Sequence, residues 1–480
     1  MKQRLTGLPV IVKMTFSCLL IFRVVFSAFS GEEAAGAGRE AGAENTTGAG
    51  GAESAPARER HIIPALGHVV ISNGLLFTWN RVIMRSPFSK ISFQSIKENL
   101  VWSAWEWDMD YFPTNFFGHP WHGSTYHAGA AANGFGFYEA LLFDGLGSAT
   151  YELFLETTPP SLNDLISTTI GGASMGEMFH RLYLEIDSPF MVIVSPFDAL
   201  NSLLTGRKPE RGPRNLYSFS GFAGAGWLSA AAYGEKTGRF AAWNWPSVHV
   251  EGKVVYGDPF GTEGRVPYEH FELSMGGGAS NGWYDMKFVT DGYLFSFSPS
   301  GSETERWSTG LSLSYDFFTS LNVDFLSQGL DWAVKYRRVS GGGTALEVKA
   351  HAGWLGFGGS NYYLYSSYDN SVKSYRDYGT GVNARFSCSL LFPRAGTLSL
   401  EVYSYGFFIV SHRVYGSEGW DFCNFITASY TFPLGNNFFL GASDTVTVKN
   451  GRYTDVPDVD KYTNSFKLFA GWAWDGPARR

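Results

Sequence analysis

Between residues 115 and 185 lie side chains whose types and spacing could act together. His119 and His122 fall within Gly118-His119-Pro120-Trp121-His122-Gly123-Ser124, Glu152 and Glu156 are four apart, Asp164 follows Asn163, and Glu177 and His180 are three apart. Residues spaced by three or four share a helical face. Carboxylates and imidazoles gathered by a helical hairpin could hold a divalent metal, as Glu-x-x-His pairs do in di-iron bundles. That reading makes Glu152, Glu177, His180 and His122 the candidate ligands, although such a site wants two pairs and this sequence offers one. A second chemistry is general acid/base work by Glu156 and Asp164 with His119. A third reading is structural: these groups satisfy one another and the backbone ends of a plug or periplasmic cap, with Asp164 capping a helix. No Gly-x-Ser-x-Gly, His-Glu-x-x-His or Walker loop is present, so the sequence requires no cofactor beyond that candidate metal.

The elements that must position these groups read as helices. A small-residue helix begins near Thr125, a second covers Phe137 to Glu156, and Pro159-Pro160 stops it. Ser161-Leu162-Asn163-Asp164 is a good N-terminal cap for a third helix, Leu165 to about Arg181. The third carries Gly171, Gly172, Ala173, Ser174 and Gly176, small residues that let helices approach closely. Ahead of them Trp102, Trp105, Trp107, Tyr111, Phe112, Phe116 and Phe117 crowd the approach to His119, an aromatic cluster that a strand pattern does not explain.

His119-Pro120-x-x-Gly123-Ser124, Glu152, Glu156 and Asn163-Asp164-Leu165-Ile166-x-Thr168-x-x-Gly171-Gly172-x-x-x-Gly176-Glu177 resemble an uncharacterised family of bacterial outer-membrane proteins. The resemblance implies a short helical domain followed by a β-barrel, and no biochemistry. The run from Tyr151 to Gly176 is also loosely similar to the VanZ-like membrane family, whose usual Glu-x-x-Gln is here Glu152-x-x-x-Glu156.

From about residue 215 the pattern changes to period two. Leu311, Leu313, Tyr315 and Phe317 alternate with Ser312, Ser314 and Asp316, and Val382 to Phe392 alternates with Asn383, Arg385, Ser387 and Ser389. Repetition of such runs, separated by turns rich in Gly, Asn, Ser or Asp, predicts about twelve strands. Aromatics mark strand ends (Trp227, Trp243, Trp245, Trp307, Trp354, Trp420, Trp472, Trp474), as interface girdles require. Strands cross lipid only as a closed barrel. Lys335, Arg337, Lys349, His351 and Arg385 lie on the polar phase, which would face the lumen. The acidic run Asp455 to Asp460 reads as a solvated loop, and Cys388 and Cys423, on opposite strand phases, as packing residues.

Composition narrows the rest. Aromatics make up 17% of the chain, which a disordered protein would not sustain. The balance of 37 basic and 44 acidic residues, net −7, argues against a nucleic-acid partner. Residues 1–30 read as a cleaved signal peptide, and no further apolar run of about 20 residues stands out.

The expectation is therefore a mainly β protein, exported to the bacterial outer membrane: signal peptide 1–30, Gly/Ala/Glu-rich linker 31–60, α-helical domain 61–205 in the barrel mouth or just inside the periplasm, and a transmembrane antiparallel β-barrel of about twelve strands over 210–480. Its expected partners are outer-membrane lipid and a small solute or envelope component. The leading role is a plugged channel, scaffold or envelope interaction protein; the alternative is a membrane-embedded enzyme, with or without a bound metal, acting on lipid or envelope substrates at the helix–barrel junction.

Overall fold

The computed structural model describes residues 59–475 except 208–214, 235–237, 262, 300, 303, 321, 367–370 and 412–416. The signal peptide and almost all of the linker expected from the sequence lie outside the described residues.

Twelve strands form the barrel: β1 Leu216–Gly234, β2 Gly238–Tyr256, β3 Phe271–Ser280, β4 Trp283–Phe297, β5 Glu305–Thr319, β6 Asp324–Val339, β7 Ala345–Ser366, β8 Ser371–Phe392, β9 Gly396–Ile409, β10 Gly419–Gly435, β11 Phe438–Tyr453 and β12 Val459–Asp475. Each pairs antiparallel with its sequence neighbours, and β12 returns to β1 (Ser218 opposite Asp475, Gly234 opposite Val459), which closes the sheet. A two-residue strand, Glu263–Gly264, adds to β4. Closure pairs every wall strand on both sides, the condition for standing in lipid. Both barrel termini and the tight turns at 339–345, 392–396 and 435–438 mark one end, here the terminal end; the turns at 280–283, 319–324 and 453–459 mark the far end. Asn281-Gly282, both at positive φ, make the two-residue hairpin between β3 and β4.

Alternation sorts the side chains as expected. Trp332, Trp354, Val382, Phe422 and Leu468 face outward and are exposed, the apolar band that a membrane-spanning barrel shows. Lys335, Lys349, His351 and Arg385 are in the lumen, where Lys335 and Lys349 reach Glu272 and Arg385 reaches Asp291, Asp316 and Asp331. Cys388 and Cys423 are free thiols.

The helical domain comprises α1 Ile62–Thr78, α2 Phe93–Asn99, α3 His119–Ala131, α4 Phe137–Phe154, α5 Leu162–Ile166, α6 Gly172–Glu185, α7 Met191–Val194 and α8 Pro196–Thr205. A π-helical turn, Trp79–Ile83, prolongs α1; others, Thr114–Gly118 and Ser167–Gly171, lead into α3 and α6. Three features differ from the sequence reading. α1 with its π turn is a continuous apolar helix of 22 residues; Gly67, His68, Ser72, Asn73 and Gly74 break up its pattern in sequence. α3 starts at His119, so His119 and His122 stand on the helix and not in a preceding loop. α4 ends at Phe154, so Glu156 lies beyond it and does not continue the face of Glu152.

The placement of this domain also departs from a mouth or periplasmic cap. In β5, Asp316 points into the lumen, where it accepts from Tyr405 and pairs with Arg385, so Tyr315 and Phe317 point outward. The outward residues meet the helical domain: Tyr315 donates to the Phe116 carbonyl, Phe112 stacks on Phe317, and Trp107 stacks on Phe357. The domain is docked on the external wall. The physical reason is complementarity, because Phe271, Leu273, Phe288, Phe317 and Tyr378 form one apolar cluster with Phe112, Phe116, Phe117, Met175 and Phe179. The aromatic cluster at 102–121 is thus explained by the barrel after all: its buried members are the dock.

Candidate functional site

Local sequence sets the site's frame. Gly123 on α3 faces Gly172 on α6, where a Cβ on Gly172 would stand 2.7 Å from the Gly123 Cα. Only a hydrogen at these positions permits that approach, and Gly176 against His127 repeats it one turn on. Ser161 caps α5 by accepting from the Asp164 amide at 3.2 Å. The stretch before it pairs with the tryptophan-rich loop, Glu106 accepting from the Leu162 amide at 2.8 Å and donating to Pro160 at 2.9 Å. This short pairing carries Asp108 to Asn163 and Asp164.

Two polar centres result. The first is rich in carboxyls. The Asn163 amide donates to Asp108 at 3.1 Å and to Asp164 at 3.0 Å, Asn115 donates to Asp108, and His119 Nε2 stands 3.6 Å from Asp164 Oδ2. Glu152 accepts from the Ser161 amide at 2.8 Å, Glu156 from Thr158, and Asn99 ties down the carbonyls of both glutamates. Burial pushes Asp164 well above the usual carboxylate range, reinforced by the charge of Asp108. Burial acts on Asp108 in the same sense, but hydrogen bonds from Asp164, Asn163 and the Asp110 amide outweigh it and hold Asp108 below its ordinary value. Burial lifts Glu156 to about 7, with the charges of Asp110 and Asp108 adding to it. Asp110 is raised by burial and by Asp108. A protonated Asp164 beside an ionised Asp108 is an acid and a base in contact, and His119, with 18% of its side chain exposed, is the group that reaches outward.

The second centre is fully internal. His127 Nδ1 lies 2.8 Å from Asp144 and its Nε2 3.2 Å from Glu177, whose other oxygen accepts from Arg181 at 2.8 Å. Arg181 continues to the Pro267 carbonyl on the barrel. His180 turns elsewhere, to Asp198 at 2.7 Å, with Ser195 also bonded to Asp198. His122 packs against Tyr126 and Tyr151, and Tyr126 donates to Asn73 on α1.

The structure therefore brings His119 and Asp164 together, with Glu152 and Glu156 behind them, and separates the metal candidates. Glu177 and His180 engage different partners, and His122 belongs to a third group. Among the described residues no three His, Cys, Asp or Glu side chains are placed to hold a metal ion. Sequence reasoning missed Asp108, hidden in the tryptophan-rich loop, the pairing of His127 and Asp144 with Glu177, and Asp198 as the partner of His180. A histidine and an acid 17 residues apart on successive helices is a signal only after the helices' pairing is known.

Residues 104–194 match a family described as a domain of unknown function (DUF3943). No curated protein matches the chain. Among solved structures, the Pseudomonas putida toluene transporter TodX is 9% identical, covering 55% of this chain and 90% of its own, with a TM-score of 0.26. An outer membrane channel from Pseudomonas putida F1 is 9% identical over 55% of this chain and 97% of its own, TM-score 0.27. The NanC porin is 10% identical over 50% of this chain and 98% of its own, TM-score 0.22.

Proposed function

We propose that this chain is a bacterial outer-membrane barrel whose bore is sealed by its own side chains and which serves as the membrane scaffold for the helical domain on its flank. The observation that carries this is a stack across the lumen: Phe318 of β5 and Phe425 of β10, on distant walls, lie 4.1 Å apart between ring centroids. Phe325, Leu355, Tyr405 and Phe407 fill the same layer. Above it the turn between β5 and β6 folds across the far mouth, where Asn322 donates to the carbonyls of Ala231 in β1 and Tyr462 in β12. Lys461 of β12 likewise crosses to the Asn361 carbonyl of β7.

Toward the terminal end the lumen keeps a cavity of about 310 Å³ walled by Thr427, Ser429, Thr431, Ser443, Thr445 and Thr447. Hydroxyls of this density suit a small polar solute held in a blind vestibule. The plug expected of residues 115–185 is thus supplied by inward side chains of the strands.

Purified protein in planar bilayers tests this. The sealed scaffold predicts no resolved conductance step from the full chain, no gain on removing the helical segment alone, and a clear step from Phe318→Ala, Phe325→Ala and Phe425→Ala combined. Steady conductance in the unaltered chain would overturn it. A heat-modifiability gel run alongside reports the closed barrel, since a folded barrel migrates differently before and after boiling.

A further inference from the structure

The outer face of the helical domain is as apolar as the barrel wall beside it. Helix Ile62–Ile83 has 22 residues, a mean hydropathy of 1.5 in its most apolar stretch, and only 28% of that stretch buried. At about 1.5 Å per residue it is about 33 Å long, matching a hydrocarbon core of about 30 Å. Ile63, Val70 and Leu75 on it, and Leu142 on α4, are 80%, 70%, 60% and 72% exposed. A water-facing domain rarely shows so continuous an apolar surface.

Charge is confined to the two ends. Arg60 pairs with Glu139 at one, and Arg81, Arg85 and Lys90 stand at the other, with no Lys, Arg, Asp or Glu between Arg60 and Arg81. Asp144, the acid in the middle of α4, is wholly buried against His127. Helix α6, in the same bundle, runs the height of the barrel, and α1 lies along α3, which packs on α6. Gly171, ahead of α6, packs on Tyr315 near the far end, and Glu185, closing α6, accepts from the amides of Asn215 and Leu216 at the terminal end. The exposed helix face is therefore continuous, at the same depth, with the barrel's apolar band.

We propose that the helical domain is itself a transmembrane bundle, standing beside the barrel in the same bilayer, with α1 and α4 turned to lipid acyl chains. The proposal rests on the membrane reading of the barrel above. Buried charge then has a structural logic: His127, Asp144, Glu177 and Arg181 neutralise one another between helices, and Gly123, Gly172 and Gly176 supply the close packing that helices use where lipid removes the hydrophobic driving force.

The test uses the full chain in phosphatidylcholine–phosphatidylglycerol vesicles doped with a phospholipid carrying a diazirine near the end of one acyl chain. After photolysis, peptides are mapped by mass spectrometry. Peptides covering 62–83 and 137–154 should carry adducts within about threefold of those at the outward strand positions around Val382 and Leu468, since both face one hydrocarbon phase. Labelled strands with unlabelled helices overturn the proposal, as does a zero-length cross-link through this face to a second copy in place of lipid adducts. Absence of label from strands and helices alike would instead remove the membrane reading of the barrel.

Discussion

The lumen and the helical flank both bury many ionisable groups, and they balance them differently. In the lumen two groups of acids are held by bases. Glu272 receives Lys253 at 3.3 Å, Lys335 at 2.9 Å and Lys349, while Arg385 serves Asp331 at 2.9 Å, Asp291 at 3.4 Å and Asp316 at 3.5 Å. These ties reach across one to four strand steps and hold the wall's shape. On the flank, among the described residues no Lys or Arg lies within ion-pair distance of Asp108, Glu152, Glu156 or Asp164. Their balance is kept by protons and amide donors, Asn163 above all. Ion pairs fix a scaffold; shared protons leave groups that can give and take them.

Four experiments break or sharpen that contrast. Arg385→Leu leaves three buried acids without their base, and should cost about 3–5 kcal/mol, as breaking a buried pair does; the folded barrel band should vanish at a much lower temperature. Gly172→Leu forces a side chain into the Gly123 backbone, and overpacking of this kind costs about 1–3 kcal/mol. It should expose the helical domain to trypsin while the barrel band survives, because the barrel closes through its own strand pairing.

The pH dependence follows from Glu156. It protonates at about 7 in the folded protein against roughly 4.3 in an unfolded chain, so the folded form holds the extra proton between those values. Its contribution is complete below about 4.3 and declines as pH rises through about 7. Thermal melts of the helical signal should therefore lose stability from pH 5 to pH 8, and Glu156→Gln should flatten that slope. The smallest effect is expected of Asp164→Asn. A carboxyl that already keeps its proton tolerates an amide, so the change should be about 1 kcal/mol or less in chemical denaturation, whereas Glu272→Gln in the lumen should be plainly worse.

Much of the barrel was legible because period two is a local property. Leu311 to Phe317 and Val382 to Phe392 declare their outward phase without reference to any partner, and luminal Lys335, Lys349, His351 and Arg385 follow as the other phase. The glycines at 171, 172 and 176 likewise announce close helix contact. The sites were less legible. Glu152 and Glu156 look like one face until α4 ends at Phe154, and Glu177 and His180 look like one ligand pair until their partners prove to be His127 and Asp198.

Sequence alone determined that a long series of alternating strands, patterned as a lipid-facing barrel would be, follows a small-residue helical segment, because alternation and glycine spacing act over a few residues. Tertiary structure alone decided where that segment goes. Phe112, Phe116 and Phe117 are equally apolar whether they fill a lumen or coat a wall. Only the lumen's own occupancy, by Phe318 against Phe425 and Asn322 across the mouth, left the outer wall as the surface that could bury them.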